Sequence, residues 1–199
     1  MFYSLVRNTF LLIFKLFFNL KVFGKENIPK SGGFILASNH LSNFDPPLMA
    51  AAYPRPLNFM AKEELFRNYL FGKILSNLHA FPVKRGGSDM VAIRKAIKIL
   101  NAGQGLLIFP QGTRKNSFES DNLKRGISFL AKKTGVQIIP AKIFGTDTAL
   151  ASGSRKVKLC KIRVVFGRPM NIDKDITDDD LLIKISLEID KLSLTKEAI

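Results

Sequence analysis

The residues best equipped for chemistry lie in the stretch Asn39-His40-Leu41-Ser42-Asn43-Phe44-Asp45. An imidazole and a carboxylate five positions apart do not share a face of a continuous helix. Here, however, the apolar run Phe34-Ile35-Leu36-Ala37 predicts a short buried strand just before them. Pro46-Pro47-Leu48-Met49-Ala50-Ala51-Ala52 predicts a helix just after them, with Asp45 as its N-cap and Pro46 in its first position. His40 then leaves a strand end, a turn intervenes, and Asp45 can fold back against the ring. A carboxylate on one ring nitrogen fixes the tautomer and raises the basicity of the other, which can take a proton from a hydroxyl. An Asp-Pro helix start following a strand has the same local pattern without any chemistry, so other residues must decide.

Cations supply the second ingredient. At Gly112-Thr113-Arg114 the glycine permits close backbone approach, its neighbours offer N–H donors, and the arginine adds a planar fork, which together suit a phosphate. An ordinary turn after a strand is the competing reading. Arg85, beside Lys84, offers another cation, or else a solvated loop charge. No G-x-S-x-G, GxxxxGK[ST] or GxGxxG run occurs, which removes serine-hydrolase, nucleotide-hydrolase and dinucleotide readings. Two histidines and one cysteine supply too few ligands for a conventional zinc site. Cys160 reads as a core residue inside a strand, His79 as structural, and Asp178-Asp179-Asp180 as the acidic start of a helix.

The elements that must position these groups alternate. Strands are predicted at 21–23, 34–37, 57–61, 81–85, 105–109 and 136–139, the last broken by Pro140, and over 157–166 with a bulge at Cys160-Lys161. A broken helical segment is predicted over 62–78. A helix capped by Ser88 carries Met90, Ile93, Ile97 and Leu100 on one face and stops at Gly103. Another holds Leu123, Ile127 and Leu130, and a last one, capped around Thr177, holds Leu182, Ile185, Ile189 and Leu192. Strands and helices at this spacing predict an α/β fold: one domain, a mostly parallel mixed sheet flanked by helices. Ligands of such sheets sit beyond the carboxyl ends of the strands. His40, Arg85 and Gln111-Gly112-Thr113-Arg114 all follow predicted strand ends.

The chain of 199 residues carries a net charge of +15, concentrated in residues 1–170, which implies a polyanionic partner. A single cysteine excludes an internal disulfide, and no secretory signal is evident at the N-terminus. Residues 1–20 are the most hydrophobic stretch, but Arg7 and Lys15 interrupt it. On a helical wheel Ser4, Arg7, Asn8, Lys15 and Asn19 gather on one side, opposite a wide Leu-, Ile- and Phe-rich face. That is the pattern of a helix lying in a membrane interface; a core helix docked on the domain is the alternative. The expected organisation is a membrane-interface helix over 1–20 and a catalytic domain over 21–199.

These residues resemble a known family. Asn39 to Asp45 is similar to the NHxxxxD block of the glycerolipid acyltransferases, and Phe81-Pro82-Val83-Lys84-Arg85 to their second block. Phe109-Pro110-Gln111-Gly112-Thr113-Arg114 is similar to their FPEGTR block, and Ile139-Pro140-Ala141 to their fourth. Four blocks in order, between Val22 and Phe166, make the match specific. Within the family the resemblance is strongest to the bacterial 1-acyl-glycerol-3-phosphate acyltransferases.

The resemblance implies that His40 is a general base and Asp45 its orienting partner. The hydroxyl of lysophosphatidic acid would attack the thioester of acyl carrier protein or of coenzyme A directly, giving phosphatidic acid for phospholipid biosynthesis. Lys62, Arg85, Gly112, Thr113 and Arg114 would hold the phosphate. Gln111 stands where the family usually has Glu, keeping an acceptor but losing the charge, and is expected to orient substrate or support the loop. No cofactor is expected beyond the acyl thioester. The enzyme would be peripheral on the cytoplasmic face of the cell membrane, with anionic lipids as partners and no nucleic acid. Two alternatives stay open: the same chemistry on glycerol 3-phosphate, another lysophospholipid or a lyso-aminolipid, and a non-enzymatic basic module.

Overall fold

The computed structural model describes residues 1–84, 89–110, 121–173 and 175–194. Its elements in chain order are α1 (Phe2–Phe18), β1 (Lys21–Phe23), β2 (Phe34–Ser38), α2 (Asp45–Ala52), β3 (Leu57–Lys62), α3 (Tyr69–Asn77) and β4 (Ala80–Val83). There follow α4 (Met90–Asn101), β5 (Gly105–Ile108), α5 (Asp121–Thr134), β6 (Gln137–Phe144), α6 (Thr146–Ala149), β7 (Arg163–Phe166) and α7 (Asp178–Lys191). Among the described residues the strands form a seven-stranded sheet in the order β1-β7-β6-β2-β5-β3-β4. β6, β2, β5, β3 and β4 run parallel, while β7 is antiparallel to β6 and parallel to β1. The expected α/β class with a mostly parallel mixed sheet is the observed one.

β2 is central and buried along its whole length, so it reads as a continuous apolar run rather than an alternating one. Its side chains feed two cores on opposite faces. Phe34 and Leu36 pack with α1 and α2 through Phe14, Phe18, Leu48 and Met49. Ile35 and Ala37 pack with α4, α5 and α7 through Ala96, Leu100, Ile127 and Ile185.

Several local expectations change. Asp45 is the first residue of α2, not its cap, because its carboxylate turns away to the preceding loop. Asp89 caps α4, accepting from the N–H groups of Val91 and Ala92; Ser88 lies outside the described residues. The buried face of α4 is Ala92, Ala96, Ile99 and Leu100, with Met90 exposed, since alanines let the helix sit close to the sheet. β6 runs straight through Pro140. The Pro140 carbonyl accepts from Gly167 N–H on the β7 side. A strand residue points its N and O to the same side, so the missing donor faces the end of β7 and costs no rung with β2. The last strand starts only at Arg163. Residues 157–162 follow α6 outside the sheet, held by bonds such as Ile162 N–H to Phe18 O, so the phase slip at Cys160 marks an entry segment and not a bulge.

Helix α1 is docked on α2, burying Tyr3, Phe14 and Phe18. Arg7 belongs to this docked side, not to the polar stripe. Its guanidinium donates to the carbonyls of Ala50 and Tyr53 at the C-terminal end of α2, where the helix dipole favours a cation. A separate stripe of α1, comprising Phe2, Leu5, Leu12, Ile13, Leu16 and Phe17, stays exposed. No helix among the described residues is long and apolar enough to cross a membrane.

Candidate active site

β2 ends at Ser38, and the next residue continues its pairing with a side chain instead of the backbone. Asn39 Nδ2 donates to the Ile143 carbonyl at 2.9 Å, and Ile143 N–H donates to Asn39 Oδ1 at 2.7 Å. This pair of bonds pins the start of the turn to β6. The turn then closes on one atom. Asp45 Oδ2 accepts from Leu41 N–H at 2.6 Å and from Ser42 N–H at 2.8 Å, and meets His40 Nδ1 at 2.8 Å. Ser42 Oγ donates to the Leu150 carbonyl and accepts from Phe44 N–H, which ties the middle of the turn to the end of α6.

The geometry separates the two acid–base partners by exposure. Asp45 is fully buried, while the His40 side chain keeps 12% of its surface accessible. Such a carboxylate orients the ring without competing for substrate, and its bond to Nδ1 leaves basic character on Nε2. The ring is also fixed from its face: it lies on Phe109, centroids 4.2 Å apart and planes 17° apart. Beneath the turn, Phe44 meets Phe14 and Phe18 of α1 edge-on, with centroids 5.9 and 5.8 Å away. Five elements, β2, α2, β5, β6 and α1, together with the end of α6, therefore hold one imidazole.

Sheet order places the other candidates. β2, β5, β3 and β4 are consecutive and parallel, so their carboxyl ends lie side by side at spacings of about 4.8 Å. His40 follows β2, Phe109 follows β5, exposed Lys62 ends β3 and Lys84 follows β4. The Lys84 ammonium lies 3.9 Å from Glu63, and its backbone N–H donates to Asp89. Arg85, Gln111, Gly112, Thr113 and Arg114 lie outside the described residues. The sequence reading gave no role to Asn39, Ser42, Phe44 or Phe109. All four were visible within the two quoted blocks, but their work is done on partners distant in the chain.

Other chemically capable groups among the described residues are engaged elsewhere. Cys160 is half-buried with its thiol 3.2 Å from the Gly145 carbonyl, and burial, then the Asp147 charge, pushes it further from a thiolate. His79 stacks on Tyr3 at 4.6 Å. Asp178 accepts from Ser128 and Lys132 at the start of α7, and no cluster suited to a metal ion occurs among the described residues. A cavity of ≈ 390 Å³ opens at the amino edge of the sheet, away from His40. Its Arg55 and Asn58 already bridge the carbonyls of Pro29, Gly32, Gly103 and Gly105, so it serves to tie loops together.

This arrangement has relatives. The sequence profile of the Acyltransferase family matches residues 19–143, most of the chain, and takes in Asn39, His40, Asp45 and Phe109. The chain belongs to the acyltransferase family. A 1-acyl-sn-glycerol-3-phosphate acyltransferase of Bacillus subtilis is 34% identical over 170 residues, which cover 85% of this chain and 82% of that one. The enzyme of the same name from Streptococcus pneumoniae is 32% identical, over 91% of this chain and 68% of that one. Among solved structures, the 1-acyl-sn-glycerophosphate acyltransferase PlsC of Thermotoga maritima superposes with a TM-score of 0.79 at 27% identity. That superposition covers 94% of this chain and 77% of the other. In this acyltransferase, as matched, the family region begins after the body of α1 and ends on Ile143, the residue that Asn39 grips.

Proposed function

We propose that this chain transfers a fatty acyl group from a thioester to the sn-2 hydroxyl of lysophosphatidic acid, making phosphatidic acid. The observation that carries the reading is the His40–Asp45 contact at the carboxyl edge of the sheet, where Lys62 and Lys84 also lie, in a chain whose relatives bear this activity in their names. His40 Nε2 removes the hydroxyl proton as the oxygen attacks the thioester carbonyl. The tetrahedral adduct collapses, the C–S bond breaks, and the imidazolium returns the proton to the departing thiolate. Asp45 holds the ring in the required tautomer throughout. No acyl-enzyme is needed, since the acceptor hydroxyl itself is the nucleophile.

Lys62, Arg85, Gly112, Thr113 and Arg114 are assigned to the acceptor phosphate, and Gln111 to orientation of substrate or loop. Fixing the headgroup turns a mobile lipid into one whose hydroxyl is held against the base. Acyl carrier protein or coenzyme A carries the donor. The exposed apolar stripe of α1 and the charge of +15 support a peripheral enzyme on the cytoplasmic face of an anionic membrane.

The test is an acceptor-by-donor panel on lipid vesicles, reading thiol release. Lysophosphatidic acid is the expected acceptor, and His40→Ala removes the activity. Unchanged release in that variant refutes the assigned base. Equal rates with an acceptor lacking a phosphomonoester overturn the substrate assignment.

A further inference from the structure

Helix α3 is apolar yet buries little of its surface. Tyr69 is 77% exposed, Leu70 71%, Phe71 46% and Ile74 45%, and Leu65 in the preceding 3-10 turn is also exposed. Leu70, Phe71 and Ile74 fall within one face at helical spacing. Only Gly72 is buried in it: an added Cβ would meet the Phe66 carbonyl oxygen at 3.0 Å, so the helix packs closely on the 3-10 turn before it. A folded monomer has no reason of its own to hold so apolar a helix in water.

The topology says which way this face looks. β2–α2–β3 and β3–α3–β4 step in the same direction along the sheet, and right-handed crossovers in one direction lie on one face. α3 therefore shares a layer with α2 and with the docked α1. The Tyr3–His79 stack ties the first turn of α1 to the loop leaving α3. Two exposed apolar stripes, on α1 and α3, thus flank the same side of the molecule. Their charge suits one occupant: α3 contains no acid, and Arg67 and Lys73 are exposed beside its apolar face, as Lys15 is on α1.

We infer that α3 is a second membrane-contact helix, inserting Leu70, Phe71 and Ile74 into the headgroup boundary of an anionic bilayer while Arg67 and Lys73 meet the phosphates. With nine residues, about 13 Å long, it can lie in the interface but not span the bilayer. Because β3 ends at Lys62 just before it, contact through α3 sets the carboxyl edge of the sheet, with His40, close to the lipid surface. The inference rests on the proposed lipid substrate, and its test is read independently of turnover.

The experiment measures sedimentation of the full chain with phosphatidylglycerol–phosphatidylcholine vesicles, alongside acyl transfer to lysophosphatidic acid in detergent micelles. The variant Leu70→Ser/Phe71→Ser/Ile74→Ser should lose about tenfold or more in vesicle partitioning. It should keep its micellar rate and its thermal melt, because none of the three side chains is buried. Arg67→Glu/Lys73→Glu should lose partitioning on anionic vesicles only, with the loss vanishing at high salt. Unchanged partitioning in both variants overturns the inference. So does normal partitioning with a rate loss confined to the carrier-protein donor, which would make α3 a protein-docking surface. Absence of micellar transfer by the unaltered chain would refute the proposed reaction and leave the partitioning result to decide α3.

Discussion

Asn39 forms a strand-like rung with Ile143 by using its side-chain amide: Nδ2 donates to the carbonyl and Oδ1 receives the N–H, at 2.9 and 2.7 Å. The two residues are 104 positions apart in sequence. The bond pair anchors the turn to β6 at the point where His40 must leave the sheet. Asn39→Ala removes both bonds and strands two backbone groups of β6, at a cost of about 1–3 kcal/mol. The rate constant kcat should fall at least about tenfold with KM nearly unchanged, since the base is displaced and the phosphate site is not. Asn39→Asp should be no better, because a carboxylate cannot donate to the Ile143 carbonyl. Steady-state kinetics and thermal melts of both variants check this.

His40 and Asp45 should differ in what they cost. His40→Ala removes the base, so activity falls by about 10²–10⁴, while the melt falls less than for Asp45→Asn because both backbone N–H bonds to Oδ2 remain. Asp45→Asn places an amide where three donors converge on Oδ2, lowering activity and also the melting temperature by several degrees. Parallel calorimetry and thiol-release assays separate the two.

Phe109 gives the imidazole a flat seat. Phe109→Leu keeps apolar contact but loses the planar surface, and kcat should drop about tenfold with the pH profile unmoved. Phe109→Tyr, which restores a ring, should recover most of the rate. A shifted pH optimum in the leucine variant would show that the ring tunes the base instead of positioning it.

The phosphate assignment predicts a selective effect. Arg85→Ala and Arg114→Ala should each raise KM for lysophosphatidic acid about tenfold or more, through loss of a charge-assisted contact. Any residual turnover of a neutral lysolipid should be untouched. An equal loss with both acceptors would remove these arginines from the phosphate site.

His79 makes acid stability testable. Burial, with the N-terminal charge as a second cause, holds its pKa below the ordinary 6.5. The unfolded chain then binds the proton first, so this contribution is intact above about pH 6.5 and is lost as pH falls toward the folded value. His79→Phe keeps the stack on Tyr3 but cannot titrate. Its melting temperature should fall less between pH 7 and 5 than that of the unaltered chain.

The chain order of the elements, the parallel sheet and the two chemical blocks were legible because they rest on local pattern: buried strands as apolar runs, helices as spaced stripes, turns at Gly and Pro. The His40–Asp45 contact was legible too, since a five-residue turn needs only its own two flanks to close. Whatever depended on a partner far along the chain was not. Pro140 looked like a strand breaker because sequence does not say which side of a strand its missing N–H faces. Arg7 looked like a headgroup cation because a helical wheel does not show that α2 ends with open carbonyls beside it. Asn39, Phe44 and Phe109 acquire their roles only when β6, α1 and β5 are brought to one end of the sheet. The sequence by itself determined which side chains could act as base and partner; the tertiary structure decided how firmly they are held. Side-chain identity is a local property, and orientation comes from contacts that folding alone assembles.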